Sequence, residues 1–325
     1  MSLPSSFNRR KCTIHHTDYI LHFNIGGQYF STFRSTIAKR LKKIKSPSNL
    51  DDEYYEPNIL QEFLNGDRFA YYDDRNAIFV DRNPKYFNHI LDFLRLAKEG
   101  NENDFDLPSN SKNLEDLYTE AEYFRLDALK CLINPLYESN ILSFRNAMNL
   151  IDTCGFKTNQ KWRLIYSGTK DGFDSESFHS RCDEISKTLV IIKTENFSIF
   201  GGYTDAEWES GDQLLKKDPS SFLFSFSNNT DDTKCIKLIN NRSGSEVYCD
   251  SECGPVFGYN HKNKRHDLFI SKNPHLDENS YCKIGYSYLI PFQINLRSSY
   301  DKKLLAGSYN FKISEIEIFS KVLSS

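Results

Sequence analysis

Residues 162–194 read WRLIYSGTKDGFDSESFHSRCDEISKTLVIIKT and contain two apolar runs on either side of a polar segment. The runs, WRLIYS at 162–167 and TLVIIK at 188–193, are rich in branched and aromatic residues, which favours β-strands. Asp174 precedes SESFHSRC and is typical of a helix N-cap, so the polar segment is predicted to contain one short helix. The stretch therefore predicts a strand, a helix and a strand in that order.

The strand pattern continues towards the C-terminal end of the sequence. Further short runs are separated by Gly, Asn, Asp and Ser: FSIF at 197–200, FLFSFS at 222–227, CIKLI at 235–239, DLFI at 267–270 and YNFKISEIEIF at 309–319. In the last run, Phe311 and Ile313 occupy odd-numbered positions, whereas Ile316 and Ile318 occupy even-numbered positions. A bulge or bend near Ser314 and Glu315 is therefore predicted. Many short strands with a single helix favour a β-sandwich.

A further amphipathic helix is predicted just before these strands. Its apolar residues are spaced by three or four positions: Ile141, Phe144, Met148 and Ile151. Pro135 marks a break before this helix, and Gly155 is the expected stop. We expect the apolar stripe to pack on the β-rich segment that follows it.

The N-terminal third shows strand patterns first and helix patterns afterwards. Residues 19–33, YILHFNIGGQYFSTF, alternate in polarity around two glycines and predict a hairpin. A short buried strand is predicted at 78–80, and Asn83 with Pro84 should cap and open a helix. A second helix is predicted after Asn113. This order indicates an α+β domain.

Charge is distributed unevenly in the N-terminal part. Residues 1–50 contain nine Lys or Arg and one acid, a local charge of +8, whereas residues 51–76 contain eight acids and two Arg, a local charge of −6. The run AKRLKKIK at 38–45 predicts an amphipathic helix with a solvated basic face. A membrane-surface or nucleic-acid role for the basic stretch 34–45 is the alternative.

The overall composition restricts the class of protein. A length of 325 residues suggests two domains, and a formal charge of −3 argues against a dedicated nucleic-acid-binding protein. The apolar stretches are shorter than a membrane span requires, and no secretion signal is visible. Eight Cys are too sparse for a disulfide scaffold, so we expect free thiols and a cytoplasmic location.

Four segments of the N-terminal third occur in a distinctive order: FNIGGQYFSTFRSTI at 23–37, NILQEFLNG at 58–66, FVDRNPKYFNHILDFLR at 79–95 and YTEAEYFRLDAL at 118–129. In this order they resemble the BTB/POZ domain of the potassium-channel-tetramerisation type. The insertion at 39–57 replaces the Pro-containing turn that is usual in this family, and the zinc-binding pattern of some channel members is not evident. The resemblance implies self-association and, as a further implication, service as a substrate adaptor of a cullin-type ubiquitin ligase.

The rest of the chain carries five more segments: residues 162–194 quoted above, FGGYTDAEWESGD at 200–212, DPSSFLFSF at 218–226, GPVFGYNHKNKRHDLFI at 254–270 and FKISEIEIF at 311–319. Their order resembles the TLDc domain. That resemblance implies a sandwich of two antiparallel sheets with flanking helices. It also implies protection from oxidative stress and, in several members, binding to the vacuolar proton pump, without an established chemical reaction.

One pair of residues suggests nucleophilic chemistry. His179 and Cys182 lie three positions apart on a predicted helix, a spacing that can bring a base towards a thiol. Cys182 also lies four positions from Phe178, so a buried structural thiol is the favoured interpretation. A redox-responsive thiol is the third possibility.

Two other clusters suggest ion binding. Potential zinc ligands occur at irregular spacing, which favours surface hairpin residues over a metal site: Cys249, Cys253, His261, His266 and His275. Four acids crowd one loop and are interpreted as solvated: Asp205, Glu207, Glu209 and Asp212. The preceding Gly201 and Gly202 predict a turn or bulge, since no Gly-rich phosphate loop occurs. Asp81 and Arg82 are expected to pair locally, or across a subunit interface.

The sequence therefore predicts no catalytic, cofactor-binding or metal-binding residues. We expect an N-terminal tail at 1–17, a BTB/POZ-like α+β oligomerisation domain at 18–135 and a TLDc-like β-sandwich at 139–323. The predicted function is that of a non-enzymatic interaction protein whose first domain self-associates and whose second binds a partner such as vacuolar proton pump subunits. A cullin-binding substrate adaptor is the alternative, and an enzyme using Cys182 or the acidic loop is the third hypothesis. No nucleic-acid partner and no membrane insertion are expected.

Overall fold

A computed structural model describes residues 18–39, 57–157, 160–226, 234–290 and 303–322. These residues divide into two compact units, and the boundary lies between Leu129 and Lys130. Within these ranges, no helix combines the length and the apolar character that are needed to cross a bilayer.

The first unit combines helices with a small mixed sheet. Its elements in chain order are β1 Ile20–Ile25, β2 Gln28–Phe33, α1 Arg34–Ala38, α2 Ile59–Asn65, β3 Tyr71–Tyr72, β4 Ile78–Val80, α3 Phe87–Glu99, α4 Ser111–Tyr123 and α5 Asp127–Ile133, the last of which crosses the boundary. The sheet order is β2-β1-β4-β3, with β1 and β4 parallel. Most of the basic helix predicted at 38–45 lies outside the described residues.

The β1–β2 hairpin depends on its glycine turn. Gly26 has a φ of +52°, and a Cβ at this position would lie 2.4 Å from the carbonyl oxygen of Arg82. The Gly26 N–H donates to the carbonyl of Val80 at 3.0 Å, which joins the turn to the end of β4. The predicted hairpin is confirmed, and the close approach explains why glycine is needed there.

One face of this sheet packs on helix α3. The ring of Phe87 contacts Phe23 of β1 and Phe30 of β2, with centroid distances of 5.7 and 5.0 Å. The predicted capping is confirmed, because the Asn83 side chain accepts a hydrogen bond from the Lys85 N–H immediately after Pro84. Helix α4 begins earlier than predicted, since Asn110 is the residue that caps it.

The second unit is built from two antiparallel sheets. Its elements are α6 Phe144–Cys154, β5 Trp162–Ser167, α7 Gly168–Asp171, α8 Ser175–Cys182, β6 Thr188–Thr194, β7 Ile199–Thr204, β8 Leu214–Lys216, β9 Phe222–Phe226, β10 Cys235–Asn240, β11 Val247–Cys249, β12 Val256–Phe257, β13 Leu268–Phe269, β14 Ser280–Cys282, β15 Tyr288–Leu289, β16 Asn310–Phe311 and β17 Ile313–Lys321. The sheet orders are β15-β10-β9-β7-β6-β17-β5 and β16-β14-β13-β12-β11-β8.

Strand β6 is buried on both faces, because the unit has three layers: helix α6, the seven-stranded sheet and the six-stranded sheet. Val190 and Ile192 point into a core between the two sheets. Leu189 and Ile191 point to the opposite side, where they share a second core with residues of helix α6. The predicted α+β fold with a C-terminal β-sandwich is therefore confirmed, and α6 covers the outer face of the seven-stranded sheet.

The bulge predicted near Ser314 is present. The pairing of β17 with β6 changes register between Ile313 and Glu315. As a result Ile313 and Ile316 are both buried between the sheets, although they differ in parity. A second irregularity, against β5 between Ile318 and Phe319, was not predicted.

The turn predicted at Gly201 and Gly202 is wrong, because both glycines lie within β7. Gly201 pairs with Ile191 and Gly202 with Val190 in a regular ladder. A Cβ on Gly201 would lie 1.9 Å from the Val190 carbonyl oxygen. The glycines are therefore required by close packing across the sheet and not by a change in chain direction.

Helix α6 is present, but its buried face differs from the predicted stripe. Its buried residues are Ala147, Leu150, Ile151 and Cys154, whereas Phe144 and Met148 are only half-buried. The Ser143 side chain caps the helix, so Ile141 lies before it and does not share its helical period. Gly155 ends the helix in a left-handed conformation, as predicted.

Candidate functional site

Helix α8 places His179 and Cys182 in different surroundings. Cys182 is fully buried between the sheets, and burial raises the pKa of its thiol far above the ordinary value. The Nδ1 atom of His179 lies 2.7 Å from the Asp183 carboxylate, and its Nε2 lies 3.0 Å from the carbonyl oxygen of Asp250. The imidazole therefore anchors α8 to the loop after β11, and Cys182 is part of the core.

The five residues that were considered as potential zinc ligands have separate neighbours. Cys249 lies in the core, the Cys253 thiol donates to the Asp250 carbonyl, His261 lies beside Ser245, His266 beside Tyr281, and His275 stacks on Phe173. Among the residues that the model describes, no three such side chains are grouped so that they could hold a metal ion. Cys249, Cys253 and His266 are buried, so their interpretation as surface hairpin residues is wrong. For Cys249 the reason is that β11 directs it inward.

The buried ring of His266 leads to a prediction about pH. Burial lowers the pKa of His266 to about 4, so an unfolded chain binds a proton at this histidine more readily than the folded chain between about pH 4 and 6.5. The stability that neutral His266 contributes is therefore present above about pH 6.5 and lost as the pH falls through 4. Relative to His266→Phe, the wild-type unfolding free energy should fall by roughly 2–3 kcal/mol between pH 7 and 4.

Denaturant titrations of both proteins at several pH values test this prediction. The neighbouring Asp267, whose pKa burial raises to about 6, acts in the opposite sense but is present in both proteins, so the comparison cancels it to first order. A difference in stability that does not change with pH would contradict the assignment of His266.

The acidic loop holds carboxylates that are paired separately. Asp205 lies 3.5 Å from the Lys187 ammonium and accepts a hydrogen bond from the Tyr203 hydroxyl. Glu209 lies 2.9 Å from Lys216. Asp205 and Glu209 thus have different partners, and no three acids among the described residues are grouped so that they could hold a cation.

The side chains of Asp81 and Arg82, which are adjacent in the sequence, have different surroundings in the fold. The Arg82 guanidinium makes two hydrogen bonds, of 3.1 and 2.7 Å, to the Glu120 carboxylate on helix α4, and it lies over the Tyr123 ring at 4.3 Å. Arg82 is therefore paired with Glu120, 38 positions away in the sequence, and the expected local pairing with Asp81 is wrong. Asp81 is exposed and lines a groove on the first unit.

The most prominent surface feature is the open face of the four-stranded sheet, opposite α3. Cross-strand partners Ile20 and Phe33 are both more than half exposed on this face. Across the sheet, Tyr71 pairs with Phe79, and Tyr71 is 70% exposed. Apolar side chains of this size are normally covered in a monomer, so the open face is the candidate interaction surface.

This face carries two apolar patches at opposite edges of the sheet. The β2 patch is defined as Ile20 and Phe33, and the β3 patch as Phe69, Tyr71 and Phe79. The β3 patch borders a groove of about 540 Å³, whose lining also includes the carboxylates of Asp73 and Asp81. Beside the β2 patch, the Lys98 ammonium lies 5.9 Å from the Phe33 ring centroid.

The turn beside the β3 patch is held by Asp73. Its carboxylate accepts hydrogen bonds from the Tyr29 hydroxyl at 2.6 Å, the Asn24 amide at 2.7 Å and the Ala77 N–H at 2.9 Å. These hydrogen bonds, led by that of Tyr29, hold the pKa of Asp73 well below its usual range. The β3–β4 turn is therefore fixed to the β1–β2 hairpin at neutral pH.

The β3 patch was missed by sequence reasoning. Three aromatic residues within four positions, Phe69, Tyr71 and Tyr72, are the available signal. Tyr71 and Tyr72 form a strand of two residues, which is too short to show alternation. Only the pairing of Tyr71 with Phe79 shows that Tyr71 extends an uncovered face.

Comparisons with known proteins agree with this division of the chain. A model of the BTB/POZ domain family matches residues 21–132, and a model of the TLDc domain family matches residues 136–321. Mouse and human BTB/POZ domain-containing protein KCTD9 are each 30% identical over 117 residues, which is 35% of this chain and 28% and 24% of theirs. Bovine SH3KBP1-binding protein 1 is 26% identical over 129 residues, 40% of this chain and 15% of its own.

The chain thus spans between 15% and 28% of the length of these relatives. The TLDc match covers more than half of the 325 residues and includes both sheets of the sandwich. The BTB/POZ match includes all four strands of the N-terminal sheet. The chain therefore belongs to the TLDc domain family and carries a BTB/POZ domain of the potassium-channel-tetramerisation type before its TLDc domain.

Proposed function

We propose that this chain is a non-enzymatic interaction protein whose BTB/POZ domain self-associates and thereby presents several TLDc domains to one partner. The open face of the N-terminal sheet carries the proposal, because exposed aromatic side chains there surround a groove. Large apolar patches mark interaction surfaces in soluble domains. When several TLDc domains are linked, their weak individual contacts with the partner combine into tighter overall binding, although no new contact forms.

The two patches favour a head-to-tail contact between copies. Lys98 and Arg95 lie beside the β2 patch, where Arg95 also reaches the Ser31 carbonyl at 3.5 Å. Arg68, Asp73 and Asp81 line the groove of the β3 patch, so the two patches have different surroundings. A contact between two different surfaces closes into a ring when the rotation allows it.

Mixing two variants tests this arrangement. Phe33→Ser removes a ring from the β2 patch, and Tyr71→Ser removes one from the β3 patch, so each variant alone should sediment as a monomer at about 10 µM, a range suited to modest interfaces. An equimolar mixture retains one intact contact between unlike copies and should form pairs.

The control is Leu276→Ser, which removes an apolar side chain that is 67% exposed on the TLDc domain and should leave self-association unchanged. Circular dichroism should show that all three variants are folded. Self-association of just one single variant would indicate a contact between identical patches. A mixture that stays monomeric would contradict the head-to-tail contact, and self-association of both single variants would exclude the open face as the interface.

The partner of the TLDc domain is proposed from family membership. Vacuolar proton pump subunits and a role in oxidative-stress protection are the first candidates, and a cytoplasmic location stays a prediction. The relative named SH3KBP1-binding protein 1 supports a protein-binding role for chains of this kind. The alternative is a substrate adaptor of a cullin-type ubiquitin ligase. Isolation of the tagged full chain followed by identification of bound proteins distinguishes a cullin from a pump subunit.

A further inference from the structure

The turn between β12 and β13 carries a group of exposed cations on the TLDc domain. Residues 260–265 of this turn read NHKNKR, and Lys262, Lys264 and Arg265 are all exposed. The loop that follows β10 contributes Arg242, which is exposed as well. These four side chains are called the basic surface.

Hydrogen bonds hold the turn and the loop against each other. The Nε2 atom of His261 lies 3.0 Å from the Ser245 hydroxyl, which joins the turn to the loop. The side-chain amides of Asn241 and Asn263 both donate to Tyr286, the first to its carbonyl at 2.6 Å and the second to its hydroxyl at 3.2 Å. The four cations therefore belong to one continuous surface.

The acids that lie near these cations in the sequence do not reach the surface. Glu246 and Asp267 are fully buried, and backbone N–H groups donate to their carboxylates: those of Gly244 and Asp218 to Glu246, and those of Gly285, Tyr286 and Ser287 to Asp267. Among the residues that the model describes, no carboxylate lies within ion-pair distance of Arg242, Lys262 or Lys264. The surface therefore presents positive charge to a partner.

Two of the cations occupy backbone conformations that favour glycine. Arg242 and Lys264 have φ values of +60° and +54°. Residues that carry a Cβ are disfavoured in this left-handed region. Because both side chains are exposed, burial does not offset this cost. The fold therefore gives no reason for a cation at either position, and residues held in such conformations often serve function.

We propose that the basic surface binds an acidic segment of the protein that the TLDc domain recognises, with Glu and Asp carboxylates placed at its cations. This inference rests on the proposed partner-binding function of the chain. Guanidinium and ammonium groups form charge-assisted hydrogen bonds with carboxylates. The Arg265 guanidinium lies 5.3 Å from the Tyr281 ring centroid and donates to the Tyr309 hydroxyl at 3.4 Å, so it is held in place before a partner binds.

The surroundings favour an acidic peptide over a nucleic acid or a lipid surface. Phe269 and Tyr309 stack on Tyr281 with ring centroids 5.1 and 5.6 Å away, so the Tyr281 ring is not free to stack on a base. Residues 241–245 and 260–265 contain no exposed large apolar side chain that could enter a bilayer. The formal charge of −3 repels a long polyanion, whereas a short segment responds to charges within about 8 Å at physiological ionic strength.

The test titrates the full chain into a short rhodamine-labelled peptide of alternating Glu and Ser and follows fluorescence anisotropy. The wild type should bind the peptide, and Lys262→Glu/Lys264→Glu should weaken binding at least roughly tenfold, since two attractive contacts become repulsive. The control, Lys170→Glu/Lys234→Glu, changes the net charge equally at two exposed lysines outside the basic surface and should keep the affinity within about twofold.

A second variant separates binding from folding. In Arg242→Gly/Lys264→Gly, glycine adopts the observed backbone conformation without strain, so the unfolding midpoint should not fall below that of the wild type. Peptide affinity should nevertheless fall by roughly threefold or more, because two cations are lost. Unchanged affinity in this folded variant would overturn the proposal.

Three further results would overturn the proposal. Equal weakening by the two charge-reversed variants would show that net charge and not the basic surface attracts the peptide. Tighter binding of polyuridine RNA, or of phosphatidylcholine vesicles that contain phosphatidylserine, than of the peptide would assign the surface to another class of ligand. A partner isolated equally well by tagged wild type and by Lys262→Glu/Lys264→Glu would overturn this inference but leave the proposed function standing. Peptide binding by a chain that isolates no partner would contradict the proposed function alone.

Discussion

Replacing Gly201 with alanine should destabilise the TLDc domain by more than about 4 kcal/mol, which is the range of the most damaging single substitutions. A Cβ at this position would lie 1.9 Å from the Val190 carbonyl oxygen, and this backbone atom cannot move without breaking the ladder between β6 and β7. The Phe224 ring, 2.9 Å away on the other side, leaves no room for β7 to shift. Thermal unfolding of the full chain measures the effect.

Gly244→Ala is the matched control for this substitution. Gly244 has a φ of +83°, but a Cβ there meets no atom within 4 Å. Only the backbone conformation is then unfavourable, and the expected cost is about 1 kcal/mol. Equal and small losses in the two variants would show that β6 and β7 can separate to accept a side chain at Gly201.

Replacing Trp208 with alanine should cost about 3–5 kcal/mol, because its ring is fully buried between the sheets. The ring makes edge contacts with Phe178 of α8 and Phe257 of β12, each at a centroid distance of 5.6 Å. Its indole N–H donates to the Thr188 hydroxyl at 2.8 Å. Trp208 thus joins helix α8 and both sheets, and chemical denaturation of the full chain should show the loss.

A second tryptophan separates the polar contribution of Trp208 from the apolar one. Trp162 is equally buried, but its indole nitrogen has no hydrogen-bond partner among the atoms that the model describes. Trp208→Phe should therefore cost about 1–2 kcal/mol more than Trp162→Phe, since only the first leaves the Thr188 hydroxyl without its donor. The reverse order of stabilities would contradict the assigned hydrogen bond.

The sequence predicted elements whose causes are local. The change of parity between Ile313 and Ile316 requires a bulge wherever the strand pairs, and Asn83 caps its helix through a neighbouring N–H, so both predictions are confirmed. The role of Gly201 was misread, because the obstacle to a side chain is the Val190 carbonyl on another strand. A glycine pair alone does not distinguish a turn from close packing across a sheet.

The candidate surface was harder to predict, because it depends on which sheet face remains uncovered. The hairpin at 19–33 shows alternation, but alternation does not indicate that Phe33 is exposed or that Tyr71 extends the same face two strands away. The open face therefore results from tertiary structure.

The mass of the full chain in solution tests self-association most directly. Sedimentation equilibrium at about 10 µM, a concentration suited to modest interfaces, should give a multiple of 37.9 kDa for the wild-type chain. The Phe33→Ser/Tyr71→Ser double variant, which alters both patches, should give 37.9 kDa and a circular dichroism spectrum like that of the wild type. A wild-type mass of 37.9 kDa at this concentration and at tenfold higher concentration would contradict the account.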